Sequence, residues 1–208
     1  MNIPAPVPAA FTAARTLKPQ GGTWYRAIPP SFLPAALSTT YTATVSSRFS
    51  DGSLLTPSFP MLYLAETNML ALFEVGALFG SPMMPGGLVP HPRRATTILN
   101  VNVTLHNVVD LTDLTQQAVF NTNAQELTGD WRGYKLRGSA TSVTVPVGRA
   151  PTQELGAALH AVPGLEGFVT VSAKLPEQKV LVIFPNKLQS GSLVEHEDAT
   201  GKKYPLTS

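Results

Sequence analysis

No cysteine occurs in the 208 residues, which removes a disulfide framework, a thiolate zinc site and a cysteine nucleophile together. Charge is scarce as well. Asp, Glu, Lys and Arg make up 13% of the chain, and 15 basic against 13 acidic residues leave a formal charge of +2. Only Arg93-Arg94 and Lys202-Lys203 stand as adjacent basic pairs, so there is no stripe for direct nucleic-acid binding. Apolar runs are broken by a charge before they reach about 18 residues, and no membrane span is expected. MNIPAPVPAAFTAARTLKPQ lacks a basic n-region and is interrupted by Pro4, Pro6 and Pro8; residues 1–21 read as an ordered or semi-ordered leader, not as a signal, and the lack of cysteine fits a reducing cytoplasm. Catalytic signatures are missing too. There is no G-x-G-x-x-G, no G-x-x-x-x-G-K-[ST], no G-x-S-x-G and no H-E-x-x-H, and His91, His106, His160 and His196 show no spacing that nominates a base or a metal site.

What is present is a well-filled core: 43% of the residues are hydrophobic, enough for one domain and too many for disorder. No internal repeat or linker divides the chain, so residues 1–208 are expected to be a single domain. TWYRAI, 23–28, predicts a strand ended by Pro29-Pro30. Residues 29–60 predict loop and short helical pieces around Arg48, and MLYLA, 61–65, a buried strand. A helix N-capped by Thr67 or Asn68 should run to about Phe79, with Gly80 closing it. The proline- and glycine-rich 81–94 segment is too punctuated for regular structure. In ILNVNVTLHNVVDL, Leu99, Val101, Val103 and Leu105 alternate with Asn100, Asn102, Thr104 and His106, the mark of a strand with one face in the core. Short helices are predicted at 112–120 and 122–127, a longer one from Pro151 to about Ala161, strands at 167–172 and 179–185, and a hairpin around Thr200-Gly201.

Glu74 stands out against this background. On the predicted helix it shares a face with Leu70 and Leu78, within the apolar stripe. A carboxylate there is costly unless paired or hydrogen-bonded. Two readings remain open: a structural tie to an arginine, or a functional group in a cleft.

Other residues bear on that choice. Tyr25-Arg26 stand on the first strand, Arg48-Phe49 follow a serine-rich loop, and Tyr63-Leu64-Ala65-Glu66 lead into Leu72-Phe73-Glu74. Later, APTQELGAALHAVPGLEGFVTVSAKLPEQKVLVIFPNKL gives a helix preceded by Thr-Gln, a strand ending in Ser-Ala-basic, and an apolar strand ending near Phe-Pro. In this order the pieces resemble the RES domain family, named for its Arg, Glu and Ser, over about residues 22–188, with 189–208 as a tail; the family serine falls at Ser172. Ser46-Ser47 stand where many members have a glycine pair, and the 81–94 connection departs from the family pattern.

The resemblance implies an α+β fold like that of the ADP-ribosyltransferases, with two packed, mainly antiparallel sheets and surrounding helices. It implies the toxin of a bacterial toxin-antitoxin pair, with NAD as substrate, no metal, and a helix-turn-helix antitoxin covering the NAD cleft. Cleaving the nicotinamide–ribose bond releases a neutral leaving group and builds positive charge on the ribose, which a nearby carboxylate stabilises. Glu74 takes that role, Arg26 and Arg48 grip the diphosphate, Tyr63 stacks on nicotinamide or orients the ribose, and Ser172 orients Arg26 or the ribose. Three functions follow: NAD consumption with water or phosphate as acceptor, ADP-ribosylation of a protein side chain, or a binding module without activity.

Overall fold

The computed structural model describes residues 16–52, 58–80, 86–135 and 149–206. Seven strands form one sheet: β1 (Leu17–Ile28), β2 (Leu62–Ala65), β5 (Thr97–Asp110), β6 (Gly167–Val171), β7 (Lys179–Ile183), β8 (Leu193–Glu197) and β9 (Lys203–Pro205). They lie in the order β1-β2-β7-β6-β5-β8-β9, with β1 also paired to β5. β3 (Leu78–Gly80) and β4 (Leu88–Pro90) make a separate hairpin. Every pairing is antiparallel except β5 with β6.

The extra β1–β5 pairing turns the sheet back on itself. β5, at fourteen residues, is long enough to hold β1 along one edge while β8 and β6 share the other. The strands are therefore one continuous, curled sheet in place of two separate packed sheets. Closure is narrowest between β1 and β2, which meet at the pair Tyr25 and Ala65.

Period-two alternation then divides the apolar side chains between two cores. Leu62 and Leu64 of β2, Leu181 and Ile183 of β7, and Leu99, Val101, Val103 and Leu105 of β5 join Trp24 in one buried cluster. Met61, Ala65, Phe168, Val180 and Val182 face the other way. There they meet Leu70 and Ala71 of α1 (Asn68–Glu74) and Leu155 and Leu159 of α5 (Pro151–Ala161). The alternation predicted for β5 holds, with Asn100, Asn102, Thr104 and His106 exposed. Short helices α2 (Leu114–Val119), α3 (Ala124–Thr128) and α4 (Trp131–Lys135) cover the segment after β5, and the tail forms the β8–β9 hairpin. None of the described helices is long and apolar enough to cross a membrane.

Three boundaries differ from expectation. β1 begins at Leu17, so part of the supposed leader is sheet. α1 stops at Glu74, five residues before Phe79: Gly76 adopts φ 67°, its N–H returns to Phe73 O and that of Ala77 to Leu72 O, a Schellman ending that only glycine takes without strain. The chain after it enters β3, and part of the 81–94 connection forms β4; residues 81–85 lie outside the described structure.

Candidate active site

Arg26, Arg48, Tyr63, Glu74 and Ser172 all line one cleft of about 1390 Å³. It opens where β1 and β2 part, with Tyr25, Ala27 and Ala65 also in its wall.

Glu74 is the last residue of α1 and is exposed, which corrects its placement in a buried stripe. Leu70, one turn earlier, is fully buried. The helix ends before its next turn could bury the stripe further, and Glu74 overhangs the cleft. Among the described residues no cation lies within ion-pair distance of it, so the arginine tie is not what holds it. Its carboxylate instead accepts a 2.6 Å hydrogen bond from Ser172 Oγ. Ser172 closes β6 and is 1% exposed. Its oxygen accepts the N–H groups of Lys174 (3.0 Å) and Leu175 (3.2 Å), and with the oxygen so engaged its single proton is directed to Glu74. The partner of Ser172 is thus Glu74, not Arg26.

Arg26 extends from β1 and donates through Nη2 to Tyr41 Oη (3.3 Å) and Ser38 O (3.4 Å). Its Nη1 is buried without a hydrogen-bond partner among the described residues. Burial holds the pKa of Arg26 below its ordinary value, with Tyr41 pulling it partly back. Arg48 is anchored differently: its Nη1 donates to Leu127 O (3.0 Å) and Gly129 O (2.7 Å), carbonyls freed at the end of α3. Burial lowers its pKa too, opposed by the negative field of Glu74 and by Tyr63 and Asp130. The Tyr63 hydroxyl lies 2.8 Å from Ser47 Oγ. Burial pushes its pKa up to about 12, so Tyr63 is a neutral donor at physiological pH.

The loop carrying Arg48 is locked from α5. Gln153, fully buried, donates to Ser47 O (2.9 Å) and Ser50 O (3.3 Å) while accepting from Ala150 N–H (3.1 Å). Gly156 lets α5 approach Phe49: a Cβ there would lie 1.9 Å from Phe49 O. Ser46-Ser47 do the loop's work through their side chains. Ser46 Oγ donates to Asp51 Oδ1 at 2.9 Å, and Ser47 meets Tyr63.

Sequence reasoning missed Phe32, Tyr41, Arg94, Asp130, Arg132 and Lys174 in the cleft wall. They come from short, aperiodic segments that carry no pattern to single them out. With Arg26 and Arg48 the wall holds, among the described residues, five cationic side chains against the carboxylates of Glu74 and Asp130, a balance that suits an anionic ligand. No group of His, Cys, Asp or Glu among the described residues could hold a metal ion.

A family model described as the RES domain matches residues 23–206. The match extends past 188 and takes in β8 and β9, which the sequence reading set aside as a tail. Among solved structures, a chain of the M. tuberculosis MbcT-MbcA toxin-antitoxin complex is similar at a TM-score of 0.61 and 18% identity. The similarity covers 96% of this chain and 91% of that one; it is a likeness of fold. No curated protein matches.

Proposed function

The chain belongs to the RES domain family, and from that premise we propose that it is the toxin of a toxin-antitoxin pair, an enzyme that cleaves the nicotinamide–ribose bond of NAD. The observation that carries the reading is the Ser172–Glu74 pair, a carboxylate held in place at the mouth of a cleft walled by two half-buried guanidinium groups. We take the whole chain as one domain related in fold to the ADP-ribosyltransferases.

In this reading Ser172 occupies Oε1 of Glu74 and leaves Oε2 to face the ribose. Nicotinamide departs as a neutral molecule, so no general acid is required, and the carboxylate stabilises the oxocarbenium-like charge left behind. Arg26 and Arg48 bind the diphosphate. Tyr63, neutral and fixed by Ser47, orients the ribose or stacks on the nicotinamide. Water or phosphate then takes the ADP-ribose. The exposure of Glu74 favours one second reading, in which a protein side chain reaches the cleft and is ADP-ribosylated.

An enzyme that consumes NAD requires restraint in its own cell, and the similar fold in a complex described as toxin-antitoxin supports an antitoxin partner. We assign it a helix-turn-helix protein that covers the cleft. The β3–β4 hairpin beside Glu74, with Phe79 and Val89 exposed, is the proposed contact; removing the hairpin should abolish antitoxin binding.

The test is direct. Partner-free protein is incubated with NAD, with and without phosphate, and products are followed by mass beside Glu74→Ala. Turnover lost in the variant supports NAD consumption, and the product mass names the acceptor. Folded protein that leaves NAD intact, alone and in cell lysate, would overturn the enzymatic reading in favour of a binding module.

A further inference from the structure

Two aromatic rings in the cleft have no part in the bond-breaking chemistry. They sit on the 3-10 turns Pro30–Ala35 and Thr40–Ala43, neither of which buries any residue. Phe32 is 59% exposed and Tyr41 57%, and both line the wall of the cleft. A large ring left in water forgoes the stabilisation its burial would bring. Two of them in one short segment, facing one cavity, call for an occupant with an apolar face.

The neighbouring charge narrows the chemistry. Arg26 Nη2 donates to the Tyr41 hydroxyl, which ties the ring to the guanidinium, and Arg26 Nη1 has no partner among the described residues. An aromatic surface beside a planar guanidinium matches a base attached to phosphate: every nucleobase offers a π-face for stacking, and the guanidinium fork suits phosphate oxygens. This group is distinct from the bond-breaking one. Arg26 is held by Ser38 O and the Tyr41 hydroxyl, whereas Arg48 is held by Leu127 O and Gly129 O and Tyr63 by Ser47.

We propose that Phe32 and Tyr41 form a nucleobase-binding wall which, with Arg26, takes the base and diphosphate of a nucleoside diphosphate. The wall deepens the NAD reading and rests on it for one point, that the nucleoside diphosphate is half of a dinucleotide. It gives the cleft two ends, with Glu74 and Tyr63 at the reacting ribose, Phe32 and Tyr41 at the adenosine, and Arg26 and Arg48 on the diphosphate between them. Such a wall selects NAD over nicotinamide mononucleotide, which has no adenosine to stack.

Calorimetric titration of ADP into the full chain, as wild type, Phe32→Ala, Tyr41→Ala and Tyr41→Phe, tests the wall without requiring turnover. ADP should bind the wild type, and loss of either ring should weaken it about tenfold, while Tyr41→Phe, which keeps the ring, should cost less. Neither ring is buried, so thermal midpoints should hold and unfolding should not confound the result. Kinetics on NAD and on nicotinamide mononucleotide form the second arm: the preference for NAD should fall about tenfold on loss of a ring, through KM. Wild type that binds ADP through both rings yet cleaves no NAD would support the wall and remove the NAD reading. Wild type that cleaves NAD, with its preference unchanged in both alanine variants, would overturn the wall and leave that reading standing. Failure of ADP to bind the wild type at millimolar concentration overturns it as well.

Discussion

The hydroxyl of Ser172 and Oε1 of Glu74 stand 2.6 Å apart, and the amides of Lys174 and Leu175, by occupying the same oxygen, direct its proton to the carboxylate. Ser172→Ala removes that donor and frees Glu74 to swing. Turnover at saturating NAD should fall on the order of 100-fold, because small displacements of a reacting group are costly, with a smaller effect on KM. Two amides also lose an acceptor, at about 1–3 kcal/mol. Steady-state kinetics beside a thermal melt checks both, and an unchanged kcat would refute a positioning role.

Glu74→Gln separates function from structure. The amide oxygen still accepts from Ser172, and the side chain is exposed, so stability should change by no more than about 0.5 kcal/mol. Turnover should drop by at least about 100-fold, since the amide has no charge to set against the oxocarbenium. A large loss of stability with the change would mean that Glu74 is a tie after all.

Gly156→Ala should damage the site from behind. The new Cβ would press on the backbone of Phe49, next to Arg48, at 1.9 Å, and a carbonyl cannot turn aside as the tip of a flexible side chain can. Overpacking of this kind costs about 1–3 kcal/mol. The urea midpoint should fall and NAD affinity should weaken with it. A lower midpoint with NAD affinity unchanged would show that the loop is not set by this contact.

Much of this architecture was legible. β5 declared itself because Leu99 to Leu105 alternate against a core on one side only, and the start of α5 was readable because proline suits the first helical position. The five cleft residues were nominated by motif order, and the fold brings all five to one wall, but their roles were less visible. The exposure of Glu74 depends on where its helix stops, which Gly76 decides by adopting a left-handed conformation; in the sequence Gly80 is an equal candidate for that role. Phe32, Tyr41 and Arg94 lie on segments without periodicity, where position is set by tertiary contact. The curl of the sheet is equally non-local: it rests on β1 pairing with a strand whose partner residues lie about 80 positions away.

Tyr63 predicts an alkaline transition. Its pKa of about 12 in the fold compares with about 10 in an unfolded chain. The folded state therefore holds the proton longer, and the stability it contributes is complete below pH 10 and lost as the pH rises towards 12. Followed by tyrosinate absorbance, one of the five tyrosines should ionise late, and that step should be missing in Tyr63→Phe. Loss of a step near pH 10 in the variant, in place of the late one, would place the hydroxyl in water.

At the acid end the controlling residue is Glu166, which is fully buried. Its Oε2 accepts the N–H groups of His106 (2.7 Å) and Asn107 (2.8 Å), and its Oε1 accepts Gln189 N–H (2.9 Å) and the Ser192 hydroxyl. Burial alone would raise its pKa, but the four donors outweigh it and hold the pKa below the ordinary value. A depressed folded pKa stabilises the protein above the unfolded carboxyl value of about 4.3, and that stability is lost as the pH falls through the folded one. Glu166→Gln turns an NH2 towards N–H or O–H donors, and should cost at least about 2 kcal/mol at neutral pH. Its stability should also vary less with pH below about 4.3, since one linked proton is gone. Urea midpoints measured from neutral to acid pH decide the matter: curves that converge as the pH falls assign the tie between β5, β6 and β8 to an ionised Glu166, and parallel curves assign it to packing.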